Sequence, residues 1–195
     1  MARPAAFDRD RVLGQAMQTF WDRGYGATSI SQLVEATGLK PGSLYAAFDS
    51  KEGLFLAALD RYAADSRRRL KEALHAGVGP LTGIEQFLRR LVQSQYATQP
   101  PRGCLLVNSA LELGRHNPTV QRRVRQHLEG IEAELRQALQ AARDDGQLGA
   151  DQSPAALARL LMTMIWGLRV LGGTGADASR AEQVVDQVAM ILRQG

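Results

Sequence analysis

Apolar residues recur at helical spacing along almost the whole chain. Over about Asp8 to Arg23, one stripe of apolar side chains repeats every three to four positions, which predicts an amphipathic helix. The same spacing, interrupted by glycine and proline, predicts two short helices between residues 28 and 48. Longer helices are predicted at about 51–74, 81–97, 102–113, 119–143, 154–171 and 178–193. The pattern therefore predicts an all-α chain of about nine helices.

Local signals define the two short helices and the turn between them. Ser29 and Gln32 have the spacing of an N-terminal capping box, and Gly38 supplies the left-handed conformation that ends a helix. Pro41 suits the first turn of the next helix because its fixed φ is close to the helical value. A short helix, a glycine turn and a second helix that begins with small polar residues are typical of a DNA-binding helix-turn-helix.

These residues resemble the helix-turn-helix of the TetR family of transcriptional regulators. The resemblance covers residues 7 to about 62 and is carried by Phe20, Gly24, Tyr25, Thr28, Gly38, Gly42, Ser43, Leu44, Tyr45, Phe48, Lys51 and Leu54. It implies a three-helix DNA-binding domain at residues 1–52 and a larger helical ligand-sensing and dimerisation domain at residues 53–195. The alternative is that residues 30–48 are two packed core helices with no role in nucleic-acid binding.

The resemblance also implies which residues contact DNA. Ser43 is expected to touch a base edge, Gly42 to let the backbone approach the groove, and Tyr45 to contact a phosphate or a thymine methyl. The other expected DNA-binding residues are Thr28, Ser29, Lys40 and Lys51. The alternative for Tyr45 is packing between helices, and for Lys51 it is an ordinary solvated lysine.

Net charge does not by itself indicate a DNA-binding surface. The chain has a formal net charge of +4, but residues 1–52 contain six basic and six acidic residues. Binding is therefore expected to depend on where individual bases lie and on helix N-termini that face phosphates. Ala46 and Ala47 stand where related proteins carry bulkier side chains, so some specificity is expected from an N-terminal arm that includes Arg3, or from DNA shape.

Composition narrows the class of protein and its compartment. We expect no apolar run long enough to span a bilayer and no signal segment, so a cytoplasmic protein without membrane contact is predicted. Cys104 is the single cysteine, which excludes an intrachain disulfide and a cluster of cysteine metal ligands. The three histidines lack ligand spacing, so the sequence predicts neither a metal nor a cofactor.

The last two helices carry more apolar residues than a peripheral helix pair needs. In TetR-like proteins the corresponding helices pair across a two-fold axis as a four-helix bundle. The resemblance therefore implies a homodimer that binds a pseudo-palindromic double-stranded DNA operator. The expected dimer-interface residues are Leu157, Leu161, Ile165, Leu168, Val184 and Val188.

The segment from Pro101 to Gly114 is apolar nearly all round, which predicts a central, buried helix. Asn108 and Glu112 lie one turn apart on it. They are expected either to bond each other or neighbouring helices, or to face a ligand cavity.

The run from Gly103 to Val107 further resembles a subgroup of TetR-like repressors in which the corresponding cysteine senses electrophiles or oxidants. A cysteine in the first turn of a helix beside Arg102 would have its thiolate favoured by the helix dipole and by the cation. Cys104 is therefore a candidate sensor, with an inert core cysteine as the alternative. Tyr96, Met162 and Trp166 are candidates for contact with a small organic inducer, or else plain core residues.

Taken together, the sequence predicts a ligand-responsive or redox-responsive DNA-binding regulator. An enzyme is the contrasting class, but the sequence has no nucleophile elbow, phosphate loop or paired carboxylates, so no catalytic residue is proposed. A structural interaction module is the other alternative, and it leaves the polar start of the Lys40 to Tyr45 helix unexplained.

Overall fold

A computed structural model describes residues 7–77, 79–97 and 102–193, and these residues form an all-helical fold. The helices are α1 (Arg9–Ala27), α2 (Ile30–Thr37), α3 (Pro41–Phe48), α4 (Lys51–Leu74), α5 (Pro80–Tyr96), α6 (Leu105–Leu113), α7 (Pro118–Asp144), α8 (Pro154–Gly173) and α9 (Ala178–Arg193). The prediction of an all-α chain with about nine helices is confirmed for the described ranges, and the helix ends differ from the predicted ones by a few residues.

Helix α1 begins at a capped terminus and breaks near its end. The Asp8 carboxylate accepts hydrogen bonds from the backbone N–H groups of Asp10 and Arg11, which satisfies two donors of the first turn. At Gly24 the backbone leaves the helical conformation, with φ of 77° and ψ of 170°, before a last turn that ends at Ala27. Such a φ favours glycine, so the predicted end near Arg23 corresponds to this break.

The first of two compact units comprises Met1–Ala64 together with Leu105–Arg125. Helix α1 packs against α2 and α6 in this unit, and α2 packs against α3. An aromatic cluster fills its centre: the Phe20 and Phe55 rings meet edge to face with centroids 5.0 Å apart, and Tyr25 lies 4.9 Å from Phe55. This packing fixes the start of α4 on α1.

The second unit comprises Asp65–Cys104 and Gln126–Gly195. Helix α5 packs along α9 and α8, and the core is aliphatic. One buried polar side chain crosses it: the Gln95 amide donates to the carbonyls of Leu168 and Arg169, each at 3.1 Å. Gly172 makes room for this amide, because a Cβ there would lie 1.6 Å from Gln95 Nε2. The Gln95 amide therefore ties α5 to the end of α8.

The two compact units do not coincide with the two domains, residues 1–52 and 53–195, that were predicted from the sequence. The boundary between the units falls within α4 and within α7, and α6 belongs to the same unit as the helix-turn-helix. A contiguous N-terminal segment therefore does not describe the first unit completely. The functional division at residues 52 and 53 stays a prediction.

The structure of α8 differs from two expectations: which apolar residues form the dimer interface, and whether an apolar stretch could span a bilayer. Leu161, Ile165 and Leu168, together with Val188 of α9, are buried within the chain itself, so their side chains cannot form a dimer surface in this conformation. Leu157 is partly buried against the same core, and only Val184 of the expected set is exposed. Among the described helices, α8 is long and apolar enough to cross a bilayer, judged by length and composition alone. No such stretch was expected from the sequence. Within the chain, 33% of the apolar stretch of α8 is buried.

Helix α6 is not buried all round. Leu105, Leu106 and Ser109 face inward, whereas Leu111 has 76% of its surface exposed and Asn108 and Glu112 are exposed as well. The expectation of a central helix was wrong because this nine-residue helix packs by one face only. Cys104, expected in its first turn, lies one residue before the helix and is half-buried.

Candidate nucleic-acid interface

The turn between α2 and α3 has the geometry that the sequence predicts. The Ser29 hydroxyl accepts from the Gln32 backbone N–H at 3.2 Å, while the Gln32 side chain accepts from the Ser29 N–H at 2.8 Å. Both halves of the capping box are thus present. Gly38 ends α2 with a left-handed φ of 69°, and Pro41 opens α3. The chain therefore turns within a few residues, and the start of α3 is exposed.

The first turn of α3 combines a buried underside with a bare outer face. Leu44 and Phe48 are buried, whereas Pro41, Gly42 and Ser43 are exposed. A Cβ at Gly42 would meet nothing within 4 Å, so packing inside the chain does not require glycine there. Its lack of a side chain instead leaves the helix start open to close approach by another molecule.

Polar groups on this face are available for an external partner. Within the part of the chain that the structure describes, the Ser43 hydroxyl has no hydrogen-bond partner. The Tyr45 side chain is 45% exposed, so its hydroxyl can reach a partner while Leu44 holds the helix in place. Lys40 is exposed at the N-cap of α3 and makes no capping bond with its side chain. These groups have the exposure that contact with DNA requires.

Thr28 does not have the role expected of it. Its side chain is buried, and its hydroxyl donates to the Gly24 carbonyl at 2.6 Å. The expectation of a phosphate contact from the Thr28 hydroxyl is therefore corrected, because the hydroxyl closes the break at the end of α1. A threonine before a helix looks the same in sequence whether its hydroxyl faces solvent or the preceding turn.

Lys51, the first residue of α4, is held by an aromatic ring. Its ammonium lies 4.3 Å from the centroid of the Tyr25 ring. Burial lowers the pKa of Lys51 below its usual value, and the carboxylate of Glu112 acts in the opposite direction. Lys51 is thus a positioned cation at the helix start, and not the freely solvated lysine of the alternative interpretation.

Glu112 of α6 bonds a neighbouring helix, which is one of the alternatives that the sequence left open. Its carboxylate accepts from the backbone N–H groups of Tyr25 at 3.0 Å and Gly26 at 2.6 Å. A Cβ on Gly24 would lie 2.9 Å from this carboxylate, so the glycine permits both its own positive φ and the close approach of Glu112. Glu112 therefore anchors the end of α1 and does not face a ligand cavity.

Arg9 makes a contact that sequence reasoning missed. Its guanidinium lies 4.4 Å from the centroid of the Phe48 ring and donates to the Ala47 carbonyl at 2.9 Å. This cation joins α1 to the end of α3 and is thus used inside the fold. Arg3, the expected arm residue, lies outside the described residues.

The expected sensing residues do not gather in one place. Met162 is buried in the core of the second unit, Trp166 is exposed on α8, and Tyr96 is partly buried with its hydroxyl lacking a hydrogen-bond partner among the described residues. Asn108 lies in the other unit, exposed on α6. Over the three described ranges, no group of three or more His, Cys, Asp or Glu side chains could hold a metal ion.

Comparison with known proteins gives this helix-turn-helix its context. Residues 12–58 match the model described as bacterial regulatory proteins, tetR family, and residues 80–188 match the tetracyclin repressor-like C-terminal domain. The chain belongs to the TetR family. This TetR-family protein is accordingly a DNA-binding transcriptional regulator with an N-terminal helix-turn-helix, and the family predicted from the sequence is confirmed.

Individual relatives of this TetR-family protein agree with the assignment. It is 31% identical over 183 residues to the HTH-type transcriptional repressor ComR of Escherichia coli (strain K12), covering 93% of this chain and 87% of ComR. It is 27% identical over 189 residues to the repressor NemR of the same strain, covering 94% and 93%. A cysteine mutant of the TetR family regulator CifR, solved with 26-bp double-strand operator DNA, is 34% identical with a TM-score of 0.85, covering 97% of this chain and 98% of CifR.

Proposed function

We propose that this protein is a cytoplasmic homodimeric repressor that binds a pseudo-palindromic operator and is released by a small organic ligand or by modification of Cys104. The observation that carries the DNA-binding part is the first turn of α3, where exposed Gly42 and Ser43 stand over buried Leu44. A helix that is fixed from below and bare above at its N-terminal turn fits the major groove of DNA.

Each exposed group has a definite role in this proposal. Ser43 contacts a base edge, and Tyr45 contacts a phosphate or a thymine methyl next to it. Lys40 and Lys51 bind phosphates from the starts of α3 and α4, and Ser29 presents the N-terminus of α2 to the backbone. Arg3 extends the contacts into a neighbouring groove as part of an N-terminal arm.

The roles of Ser43 and Lys51 predict different effects of mutation. Ser43→Ala should cost about 1 kcal/mol, or about fivefold in affinity, and should change the preference at one base position in each half-site. Lys51→Ala should weaken binding to all sequences alike and lower the slope of log affinity against log salt by about 1. Fluorescence anisotropy with an operator and its single-base variants, at several salt concentrations, measures both effects.

Ser179→Ala is the matched control, because Ser179 is an exposed serine at the start of α9. It should leave affinity, base preference and salt slope unchanged. If Ser43→Ala and Lys51→Ala weaken every sequence equally, Ser43 does not read a base.

The homodimer in this proposal uses the apolar side chains that remain exposed on α8 and α9. These are Leu160, Trp166 and Val170 on α8, and Val184, Met190 and Ile191 on α9. Leu160, Thr163, Gly167 and Val170 follow one another at helical spacing, and the small residues in this row allow close approach of another helix. A second copy of the chain can cover such a surface by presenting the same helices across a two-fold axis.

A bilayer fits this surface less well than a second copy does. The apolar window of α8 contains Arg159, whose guanidinium lies 3.7 Å from the Glu132 carboxylate, and Arg169. Two arginines within one span would each cost several kcal/mol at the centre of a membrane. The apolar excess of α8 therefore supports pairing with another helix.

Release through Cys104 predicts a mutant that still binds DNA. Cys104 is half-buried and directly precedes α6, whose Glu112 holds the end of α1. Adduct formation adds bulk to a packed layer and is expected to displace this helix. Cys104→Ser should keep its operator affinity and lose release by a quinone, as measured by anisotropy with added quinone.

The outcome separates the two kinds of trigger. If the same quinone releases Cys104→Ser from the operator as readily as it releases the original protein, Cys104 is an ordinary packing residue. A reversible organic ligand is then the better explanation of induction.

A further inference from the structure

An open cleft lies within the second unit, between the end of α4, the middle of α5 and the end of α8. Its volume is about 270 Å³, close to the lower end of the range of about 300–1,000 Å³ that is usual for small-molecule sites. Basic, hydroxyl and apolar side chains line it, with one carboxylate: Ser66, Arg69, Glu72, Phe87, Arg90, Leu91, Ser94 and Arg169. The cleft is thus large enough for a molecule with a single ring or a short chain.

The cations of this cleft differ from the cations next to them in sequence. On α4, Arg67 pairs with Glu134 at 2.6 Å and Arg68 with Asp65 at 2.9 Å. On α5, Arg89 pairs with Glu85 at 2.9 Å and with a carboxylate of α9 at 2.7 Å. The fold pairs each of these neighbours with a carboxylate, and none of them is among the residues that line the cleft.

The three cleft arginines lack such partners. Arg69 donates only to the Ser66 hydroxyl, at 3.5 Å, and neither Arg90 nor Arg169 forms an ion pair with any residue that the structure describes. Glu72, the one carboxylate of the lining, lies 3.6 Å from the Arg68 guanidinium. The cleft therefore carries an excess of positive charge that the fold does not neutralise.

We propose that this cleft binds a small organic anion. Its carboxylate or phosphate group pairs with the guanidinium groups of Arg69, Arg90 and Arg169, whose planar donor arrays match both anions. The hydroxyl groups of Ser66 and Ser94 supply further donors, and Phe87 and Leu91 cover the apolar part of the ligand. A neutral molecule of the same shape gains only the apolar contact.

Isothermal titration calorimetry with the full chain tests the charge requirement. The probes are 3-phenylpropionate, its neutral amide, and phenyl phosphate, which share one aromatic ring. At least one anion should bind tenfold or more tightly than the amide, and its affinity should fall as salt rises because the site is open to solvent. The anion that binds more tightly shows whether the site prefers a carboxylate or a phosphate group. If no anion binds, or if the amide binds as well as the anions, the proposal is wrong.

Variants locate the binding in the cleft. Arg90→Gln and Arg169→Gln should each lower the affinity for the more tightly bound anion by tenfold or more. Arg136→Gln, which removes an exposed arginine of α7 outside the lining, should not change the affinity. Circular dichroism melting checks that all three variants stay folded. Unchanged affinity in both cleft variants would contradict the assignment.

Control of operator binding by this anion depends on the proposed function and is measured separately. Anisotropy with labelled operator, with and without the better anion, gives the result. Release that Arg169→Gln abolishes supports the cleft as the inducer site. Charge-dependent binding without release supports the anion site and contradicts its role in induction. A chain that binds no operator under any condition contradicts the proposed function and leaves the calorimetric result intact.

Discussion

Phe20→Ala is expected to unfold the DNA-binding unit. Phe20 is 1% exposed and contacts Phe55 edge to face at the centre of the unit, so its removal leaves a cavity between α1 and α4. Such truncations cost about 3–5 kcal/mol, a large part of the total stability of a typical domain. Operator binding should be lost together with the cooperative thermal transition of this unit, as followed by circular dichroism and anisotropy.

Tyr45→Ala is the matched control because it removes an aromatic ring from the exposed face of α3. Its melting temperature should stay within a few degrees of the original, whereas its operator affinity should fall. If Tyr45→Ala destabilises the unit as much as Phe20→Ala does, Tyr45 is a packing residue, and its assigned DNA contact is wrong.

Leu160→Glu is expected to convert the dimer to monomers. Leu160 is 49% exposed in the apolar face of α8, so the single chain tolerates a carboxylate there, whereas a two-fold interface would bury two of them close together. A monomer binds one half-site at a time and loses the effective concentration of the linked partner, which is worth about 10²- to 10⁴-fold. Analytical ultracentrifugation and operator anisotropy measure the two effects.

Leu111→Glu makes the same change on an exposed leucine of α6, outside this face. It should leave the sedimentation coefficient unchanged. A Leu160→Glu protein that stays dimeric with its original operator affinity would show that the interface lies elsewhere. Leu161→Glu is unsuitable for the test because Leu161 is buried, and a charge there should unfold the subunit.

The sequence predicted the helices well because each is marked by periodicity and by a local stop signal. Ser29, Gly38 and Pro41 define the helix-turn-helix through interactions with residues close to them in sequence. Such local signals can be identified from the sequence alone. The outward position of Ser43 follows from the same spacing, since Leu44 must face the core.

The sequence could not show which side of an apolar helix faces inward. On α8 both Leu160 and Leu161 are apolar, yet the first is exposed and the second is buried. Periodicity does not separate two such faces when both carry leucine, because the choice depends on packing against α5 and α9. The sequence also could not identify the partners of Glu112, because they lie 86 and 87 residues away along the chain.

The anchoring of α1 by Glu112 has a consequence for synthesis of the protein. The unit that contains the helix-turn-helix is completed only by Leu105–Arg125, so a nascent chain that ends near Ala64 lacks part of that unit. A ribosome that adds about 5–20 residues per second needs several more seconds to supply it. During that interval the surface of α1 that α6 later covers is exposed to chaperones and proteases. A newly made regulator is therefore expected to become competent for its operator only after the middle of the chain has emerged.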